Sequence, residues 1–366
     1  MDKMDEQAEL GRLRERIDAI DQQLIELISE RARCAQAVAE VKMRAQGQDA
    51  VFFRPEREAQ VIRRVMERNP GPLSDEEMGR LFREVMSACL ALERPMHIAY
   101  LGPEGTFTHA AALKHFGYSV VTLPFDSDAE IFREVEAGEA HYGVVPVETS
   151  TEGIITHTLD RFVTSPLKIC GEVQIRTHLF LLAAPGTEPR HIKRIYSHPQ
   201  SFVHCRQWLE AHFPNAKLVA MSSHGEAALK AAKEPHSAAI AGEICTELFG
   251  LNRLERNIED SPNQITRFLI IGREKVGPSG QDKTVVLASR RNEPGALYEL
   301  LEPFHRHQIS LTRIESRPAD ANTWTYHFFL EFEGHWEDTP VKAAIAELNQ
   351  RVSDLRHLGS FPVGAL

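Results

Sequence analysis

The hydrophobic pattern near the start of the chain predicts one long amphipathic helix. Apolar residues recur at alternating three- and four-residue steps between positions 10 and 41, which is the spacing of one helix face. This stripe comprises Leu10, Leu13, Ile17, Ile20, Leu24, Leu27, Cys34, Val38 and Val41. Arg31 occupies one slot of the stripe, and burying a guanidinium is costly unless anions or acceptors surround it. The simplest partner for Arg31 is a ligand that carries a carboxylate.

Two further cations on this segment constrain the geometry. Lys42 follows Arg31 by eleven residues and returns to nearly the same face at ~100° per residue. Arg14 precedes Arg31 by seventeen residues, which is about 25 Å along the helix axis, so it cannot reach the same ligand within one chain. A second copy packed antiparallel could lend its Arg14 to the site. The alternative is that Arg14 and Lys42 are solvated surface charges and that Arg31 extends its head group to water.

The remaining pattern predicts two more domains. Residues 1–95 read as helical throughout, and three helices of unequal length favour an intertwined dimer. Over residues 96–273, short buried strands alternate with helices, which predicts a two-lobed α/β body with its second lobe at about 173–250. A linker containing glycine and proline follows at 274–282. Residues 281–366 give the order strand, helix, strand, strand, helix, strand, which predicts an α+β ferredoxin-like plait.

Composition narrows the function. The 366-residue chain carries a formal net charge of −10, which argues against nonspecific nucleic-acid binding. Its cationic sites must therefore be local, which suits anionic small substrates. Residues 1–6 lack the apolar core of a signal peptide and no run approaches the ~20 apolar residues of a membrane helix, so we expect a cytoplasmic protein. The five cysteines are scattered without metal-ligand spacing, so we expect reduced thiols, no metal and no cofactor.

The first domain resembles the all-helical chorismate mutases. The resemblance rests on residues 14–18, 29–31, 41–42, 53–58 and 81–93. It implies a pericyclic rearrangement of chorismate to prephenate, which requires clamping a dicarboxylate and stabilising charge on the breaking ether oxygen. The implied substrate contacts are Arg14 (from a second subunit), Arg31, Lys42, Arg57, Glu58, Cys89 and Glu93. Lys42 and Glu93 would face the ether oxygen, where Glu93 helps only when it is protonated. Arg54 and Cys89 stand where one branch of the family has aspartate and serine.

The second domain resembles the prephenate dehydratases, whose fold is two-lobed and similar to periplasmic binding proteins. Four blocks carry the resemblance, at residues 102–108, 145–153, 197–201 and 266–268. It implies loss of water and carbon dioxide from prephenate, which requires a donor for the leaving hydroxyl and a dry cleft. The implied cleft residues are Thr106, Glu148, Ser197, Thr266 and Arg267. Thr266 would donate to the leaving hydroxyl and Arg267 would supply charge near the carboxylates. Thr149 stands where the family usually has asparagine.

The tail resembles the ACT regulatory module at two motifs, residues 292–297 and 315–318. The implied phenylalanine contacts are Gly295, Ala296, Leu297, Glu315, Ser316, Arg317 and Pro318. Gly295 would let backbone approach an amino-acid ligand at a helix N-terminus. The three resemblances together cover nearly the whole chain. They imply a bifunctional enzyme of phenylalanine biosynthesis, with chorismate and prephenate as substrates and phenylalanine as its inhibitor.

Three alternatives stay open at this point. The dehydratase could use arogenate instead of prephenate. The two-lobed body could sense a ligand without chemistry, although Thr266 argues against this. The plait could be purely structural and dimerise through its edge strands.

Overall fold

The computed structural model describes residues 3–47, 51–151, 153–320 and 325–364, so the charged start of the chain is described only from Lys3 onward. The helices are α1 Lys3–Gln46, α2 Pro55–Glu67, α3 Asp75–Glu93, α4 Phe107–Phe116, α5 Asp128–Ala137, α6 Thr156–Thr164, α7 Pro199–His204, α8 Arg206–His212, α9 His224–Lys233, α10 Ile244–Phe249, α11 Ala296–Arg306 and α12 Thr339–Asn349. The strands are β1 His97–Leu101, β2 Val121–Phe125, β3 Tyr142–Thr149, β4 Gly153–Ile154, β5 Lys168–Arg176, β6 Phe180–Ala183, β7 Arg194–Ser197, β8 Lys217–Ala220, β9 Ser237–Ala241, β10 Asn252–Glu255, β11 Ile265–Gly272, β12 Asp282–Arg291, β13 Leu311–Asp320, β14 Thr325–Glu333 and β15 Asp354–Pro362.

The helical domain is built on α1, which spans 44 residues and is therefore about 66 Å long. Proline stands in the first turn of α2, and the Ser74 hydroxyl accepts a hydrogen bond from the backbone N–H of Glu77 at 3.2 Å to cap α3. Both α1 and α2 pack on α3. The apolar stripe of α1 remains uncovered in the single chain, where Ile17 is 55% exposed and Leu27 62% exposed.

The α/β body has two lobes, each built on its own sheet. The first sheet has the order β2-β1-β3-β11-β5, with β4 on β3, and the second has the order β10-β6-β9-β7-β8. The chain crosses between the lobes twice, at residues 177–179 and 256–264. Where the two crossings meet, the Leu179 N–H donates to the Glu259 carboxylate at 2.9 Å and the Ile258 N–H donates to the Leu179 carbonyl at 2.9 Å.

The second lobe differs from its predicted boundaries of about 173–250. The apolar run at 173–184 predicted strands of that lobe, but its first residues complete β5 in the first sheet and only β6 belongs to the second. The lobe also extends past residue 250, since β10 is one of its strands. Residues 173–184 contain no glycine or proline, so nothing in this stretch marks the point where the chain changes sheets.

The C-terminal plait has the predicted element order, with its sheet in the order β13-β14-β12-β15. Helices α11 and α12 cover one face of this sheet. The other face shares a hydrophobic core with the first lobe, in which Leu269 of β11 lies with Val285 and Phe329 of the plait. A Cβ on Gly359 would lie only 2.2 Å from the Ile169 carbonyl oxygen, so β15 approaches β5 as closely as glycine permits.

The predicted linker at 274–282 is packed between domains. The Arg63 guanidinium of α2 donates to the Ser279 hydroxyl at 2.7 Å and to its carbonyl at 3.2 Å. The imidazole Nε2 of His335 lies 3.0 Å from the Val276 carbonyl oxygen. The predicted architecture, with a helical domain, a two-lobed α/β domain and an α+β plait, is confirmed. None of the helices in the described ranges is long and apolar enough to cross a membrane.

Candidate active sites and effector site

Three predicted mutase residues lie together where α1 meets α3. Arg31 and Lys42 are half-buried on α1, and Glu93 is half-buried at the end of α3. Lys42 Nζ donates to the carbonyl oxygens of Val51 at 3.0 Å and Phe52 at 3.3 Å. These two bonds leave one of its three N–H groups for a ligand.

The carboxyl of Glu93 lies close enough to Lys42 and Arg31 for both cations to affect its pKa. Burial raises the pKa of Glu93 above its ordinary value, even though Lys42 and Arg31 both act to lower it. Its Oε2 atom is fully buried and has no hydrogen-bond partner among the described residues. Buried polar atoms rarely stay unpaired, so this oxygen is available to a ligand.

Of the other predicted mutase residues, Cys89 lies one helical turn before Glu93 on α3, whereas Glu58 and Arg14 lie apart from this group. Glu58 forms an ion pair with Arg83 (Nε–Oε1 3.1 Å) against the dehydratase domain, and burial raises its pKa despite that cation. It lines a small cavity that Phe53 separates from the larger cavity beside Glu93. Cys89 is buried in α3, whereas Arg14 and Arg57 are exposed. The single chain therefore assembles part of the predicted site, and Arg14 remains available to a second subunit.

Thr266 lies near the start of β11, on the face of the first sheet that carries α4. Its strand partners are Thr149 of β3 and Ile175 of β5, and paired residues on neighbouring strands share a face. Two threonines thus stand side by side, with Thr266 half-buried near the crossing into the second lobe. The role of Thr266 as a donor in the cleft stays a prediction.

Arg267 does not lie in the cleft, contrary to our prediction. Successive residues of a strand point to opposite faces, so Arg267 points away from the face of Thr266. It is buried against the plait, where its Nε donates to Glu172 at 2.8 Å and its Nη2 to Glu331 at 2.5 Å. Lys283 Nζ donates to the same Glu172 at 2.8 Å. Arg267 therefore joins the dehydratase domain to the plait.

Glu148 also lies outside the cleft, contrary to its predicted position. It is the strand partner of Arg267 and forms an ion pair with Arg313 of β13, so it also faces the plait. The predicted cleft position of Glu148 failed for the same reason as that of Arg267. Both faces of this sheet are buried, so alternation along the strand carried no sign of which face was the cleft.

Two other predicted cleft residues have structural partners. The Ser197 hydroxyl is fully buried and donates to the Ile240 carbonyl at 2.7 Å. The Thr106 hydroxyl caps α4: it donates to the Leu101 carbonyl at 3.0 Å and accepts from the His109 N–H at 3.3 Å. Either residue can still border a ligand, but its hydroxyl is engaged within the fold.

The structure also brings together a polar pair that sequence reasoning missed. The Ser201 hydroxyl lies 2.6 Å from His224 Nε2, and the His224 ring packs edge-on against Phe107 of the first lobe at 5.1 Å. Burial, with His198 and His204 nearby, lowers the pKa of His224 to about 4. Ser201 lies in the quoted block 197–201, but nothing in the sequence pointed to its partner 23 residues later.

The two predicted effector motifs leave the plait sheet at the same end. Arg291 and Asp320 both pair with Thr325, on opposite sides of β14. Gly295 precedes α11 with φ +85°, a left-handed conformation that favours glycine. The neighbouring Leu297 is exposed and Ala296 is buried.

On β13, the second motif divides between two faces. Arg317 forms a bidentate ion pair with Asp160 of α6, at 3.0 and 2.9 Å. Glu315 lines a small cavity against the first lobe, whereas Ser316 and Pro318 are exposed. In the single chain, only Ser316 and Pro318 of this motif are exposed to a ligand in solvent. Arg317 links the plait to the dehydratase domain through its ion pair with Asp160.

No cluster that could hold a metal ion occurs among the described residues. All five cysteines are free thiols, and four of them are buried.

Comparison with known families assigns each domain. Residues 13–94 match the family "Chorismate mutase type II", residues 98–276 match "Prephenate dehydratase" and residues 284–350 match "ACT domain". These matches define a multidomain enzyme with two catalytic domains and one regulatory domain.

Relatives with the same domain composition identify the family. The bifunctional chorismate mutase/prephenate dehydratase of Stutzerimonas stutzeri is 53% identical over 99% of this chain and 100% of its own length. The same-named protein of Pseudomonas aeruginosa is 52% identical over the same shares. A solved structure of prephenate dehydratase from Arthrobacter aurescens in complex with L-Phe is 36% identical, with a TM-score of 0.66 over 73% of this chain and 90% of its own. The chain belongs to the bifunctional chorismate mutase/prephenate dehydratase family, as the sequence resemblances predicted.

Proposed function

We propose that the group of Arg31, Lys42 and Glu93 holds chorismate for its rearrangement to prephenate. The observation that carries this proposal is the buried, unpartnered Glu93 oxygen beside two half-buried cations. Arg31 binds a substrate carboxylate, and the third N–H of Lys42 donates to the ether oxygen. Protonated Glu93 donates to the same oxygen as negative charge develops there. No covalent intermediate is needed, because the reaction is a rearrangement within one molecule.

A second copy of the chain completes this site. The exposed stripe of α1 supports a dimer, since a free helix face of this length is seldom left in water. Arg14 lies on the same helix about 25 Å from Arg31 and has no ion-pair partner among the described residues. In an antiparallel helix pair, the partner's Arg14 reaches the ligand of this chain's Arg31.

Mixed dimers test the shared site. Arg31→Ala and Arg14→Ala should each abolish mutase activity, and Arg12→Ala, an exposed arginine of the same helix, serves as the control. Co-assembly of the two inactive chains should restore activity, because one of the two sites then holds both arginines. If verified mixed dimers stay inactive while Arg12→Ala is fully active, sharing across the interface is excluded. Dehydratase activity with added prephenate reports that the variants are folded.

The dehydratase reaction is proposed for the cleft face of β11. Thr266 donates a hydrogen bond to the ring hydroxyl of prephenate. The bond from the ring to this hydroxyl and the bond from the ring to its carboxylate both break: the carboxylate leaves as carbon dioxide, and its bonding electron pair makes the ring of phenylpyruvate aromatic. The hydroxyl leaves as hydroxide and becomes water by taking a proton from solvent. Threonine has no useful pKa for proton transfer, so it acts as a donor or relay. The neighbouring Thr149 supports this face. Prephenate and arogenate offered side by side to the purified enzyme decide between the two substrates.

Phenylalanine is the proposed effector of the plait. The solved relative from Arthrobacter aurescens was determined with L-Phe, and the exposed positions around Gly295 and Ser316 suit such a ligand. The domain limits of 1–95, 96–273 and 281–366, the dimer and the cytoplasmic location remain predictions.

A further inference from the structure

A cavity of about 840 Å³ lies where the helical domain meets the dehydratase domain. Phe52, Leu90 and Glu93 line it from the helical side, and His141 and Arg273 line it from the dehydratase side, with Arg94 at the junction. Glu93 is the one residue of the proposed mutase group that lines this cavity, so the cavity adjoins the group at the Glu93 side chain. A volume of this size is in the range of small-molecule sites.

The dehydratase wall presents hydrogen-bond donors to this cavity. The His97 N–H donates to His141 Nδ1 at 3.0 Å, which places the proton of the neutral ring on Nε2. Burial lowers the pKa of His141, with Arg94, His97 and Arg273 contributing in the same direction, so the ring is neutral at pH 7. His141 therefore offers an N–H to the cavity without adding charge.

Arg273 of the dehydratase wall and Arg94 at the junction have no protein partners among the residues that the structure describes. The side chains of Arg94 and Arg273 form no ion pair or hydrogen bond with any residue that the structure describes. The Arg273 guanidinium lies over Gly138 at the end of α5, where a Cβ would come within 2.4 Å of Nη1. Glycine thus leaves room for the guanidinium at that place.

The acidic groups of the cavity do not cancel these cations. Glu274 and Glu93 are its two carboxyls. Burial raises the pKa of Glu93 and so favours its protonated form, although the nearby Lys42 and Arg31 act to lower that pKa. Arg94 and Arg273 line the cavity, and Arg31 and Lys42 lie close enough to act on Glu93, so four cations surround its two carboxyls. This cationic chamber has aromatic and aliphatic walls, which is the chemistry of a site for a ring dicarboxylate.

We propose that Arg94 and Arg273 bind a carboxylate of chorismate as it enters the mutase site, and of prephenate as it leaves, so that the dehydratase domain forms one wall of the mutase site. This inference rests on the proposed mutase role of Glu93. It assigns Arg273 and Arg94 to substrate binding, separate from the groups that act on the ether oxygen. A contact with a carboxylate remote from the ether oxygen is equally strong in the ground state and the transition state, so its loss raises KM and leaves kcat unchanged.

A structural role for Arg273 makes different predictions. A cation at the C-terminus of α5 could simply stabilise the helix through its dipole. Its removal would then lower the thermal midpoint and affect both activities alike. Substrate binding instead predicts a change confined to the mutase reaction.

Steady-state mutase kinetics test the proposal in the full-length enzyme, following the disappearance of chorismate. Arg273→Gln and Arg94→Gln should each raise KM for chorismate about three- to tenfold, with kcat unchanged. Arg206→Gln, an exposed arginine on the far lobe, removes the same charge and should leave KM unaltered. Arg273→Lys should recover most of the loss, and dehydratase activity with added prephenate should be normal in every variant.

Salt gives an independent readout. The wild-type KM for chorismate should rise with sodium chloride more steeply than that of the double variant Arg94→Gln/Arg273→Gln, because two screened contacts are gone. An unchanged KM in both single variants, or an equal rise in Arg206→Gln, would overturn the proposal. If the Arg94 and Arg273 variants keep a normal KM while Glu93→Gln alters the mutase reaction, the two arginines do not bind substrate, but the proposed mutase role of Glu93 is retained. If Glu93→Gln and Arg31→Ala are also without effect, the assignment itself is wrong.

Discussion

Glu93 combines a buried oxygen without a partner with two nearby cations, and these features set its protonation. Its raised pKa means that the protonated, donating form persists to higher pH than in an exposed glutamate. The kcat of the mutase should fall as pH rises through this pKa, because the ionised carboxylate opposes charge on the ether oxygen. Glu93→Gln keeps a donor at every pH and should flatten the alkaline side of the kcat profile. Superimposable profiles for the two proteins would remove titration of Glu93 from the mechanism.

Thr266 is the residue that we propose as the hydrogen-bond donor of the dehydratase reaction. Thr266→Ala should lower the dehydratase kcat by about 10²-fold or more, while mutase activity is unchanged. Thr266→Ser keeps the hydroxyl and should retain a large part of the rate. The measurement is phenylpyruvate formation from added prephenate. A near-normal rate in the alanine variant would transfer the donor role to another group.

The sequence indicated candidate site residues more reliably than it indicated the face or domain contact where each residue lies. Thr266 and Arg267 are neighbours in one motif, and only the first faces the cleft. The stripe position of Arg31 was visible as a periodicity, whereas the position of Glu58 against Arg83 depends on a domain contact that no local pattern encodes.

At the scale of elements, β11 carries the cleft on one face and an ion cluster on the other. Burial alone would raise the pKa of Glu331, but Arg267 and Lys283 outweigh it and hold that pKa below its ordinary value. The stability that this cluster gives is therefore present above the pKa of the unfolded glutamate and is lost as pH falls through the lower folded value.

Removing one member of the cluster should be costly. Glu331→Gln leaves Arg267 and Lys283 with a single carboxylate in a buried place, and we expect a loss of about 3 kcal/mol. The thermal midpoint should fall by several degrees at pH 7, and the difference from wild type should shrink as the pH falls through the lowered pKa of Glu331. Glu333→Gln, two residues along β14 on the same face but exposed at the end of the strand, is the matched control. Equal midpoints for the two variants would contradict a stabilising cluster.

The element order of the plait could be predicted because its strands and helices alternate with clear turn signals. The division of residues 173–184 between two sheets could not, since Thr177 and His178 interrupt the apolar run without glycine or proline. The packed linker was equally hidden, because its contacts with Arg63 and His335 come from distant parts of the chain.

At the scale of the molecule, the plait and the first lobe share one core. Deleting residues 281–366 would remove the effector motifs, but it would also expose that core and leave Arg267 and Glu148 without their plait partners. A point substitution in the effector motif tests regulation without this damage.

Gly295→Ala should weaken inhibition by phenylalanine while both reactions continue at normal rates without the effector. A side chain at φ +85° strains the turn that presents backbone to the ligand. Gly280→Ala is the matched control, because Gly280 has φ +95°, open space around it and no place in the motif. The measurement is the phenylalanine concentration that halves the dehydratase rate. A similar shift in both variants would show that the effect is not specific to the effector motif.

Covering of the exposed α1 stripe by a second copy, as proposed, would make the mutase reaction depend on protein concentration, whereas the dehydratase reaction would not depend on it. If the stripe is buried only between two copies, dilution below the dissociation constant empties every shared site, while each dehydratase cleft lies within one chain. Mutase activity per chain should therefore fall on dilution while dehydratase activity per chain stays constant, and constant values of both would exclude the shared site. A scarce protein would then consume prephenate without making it, so the direction of its net effect on prephenate would depend on how much of the protein is present.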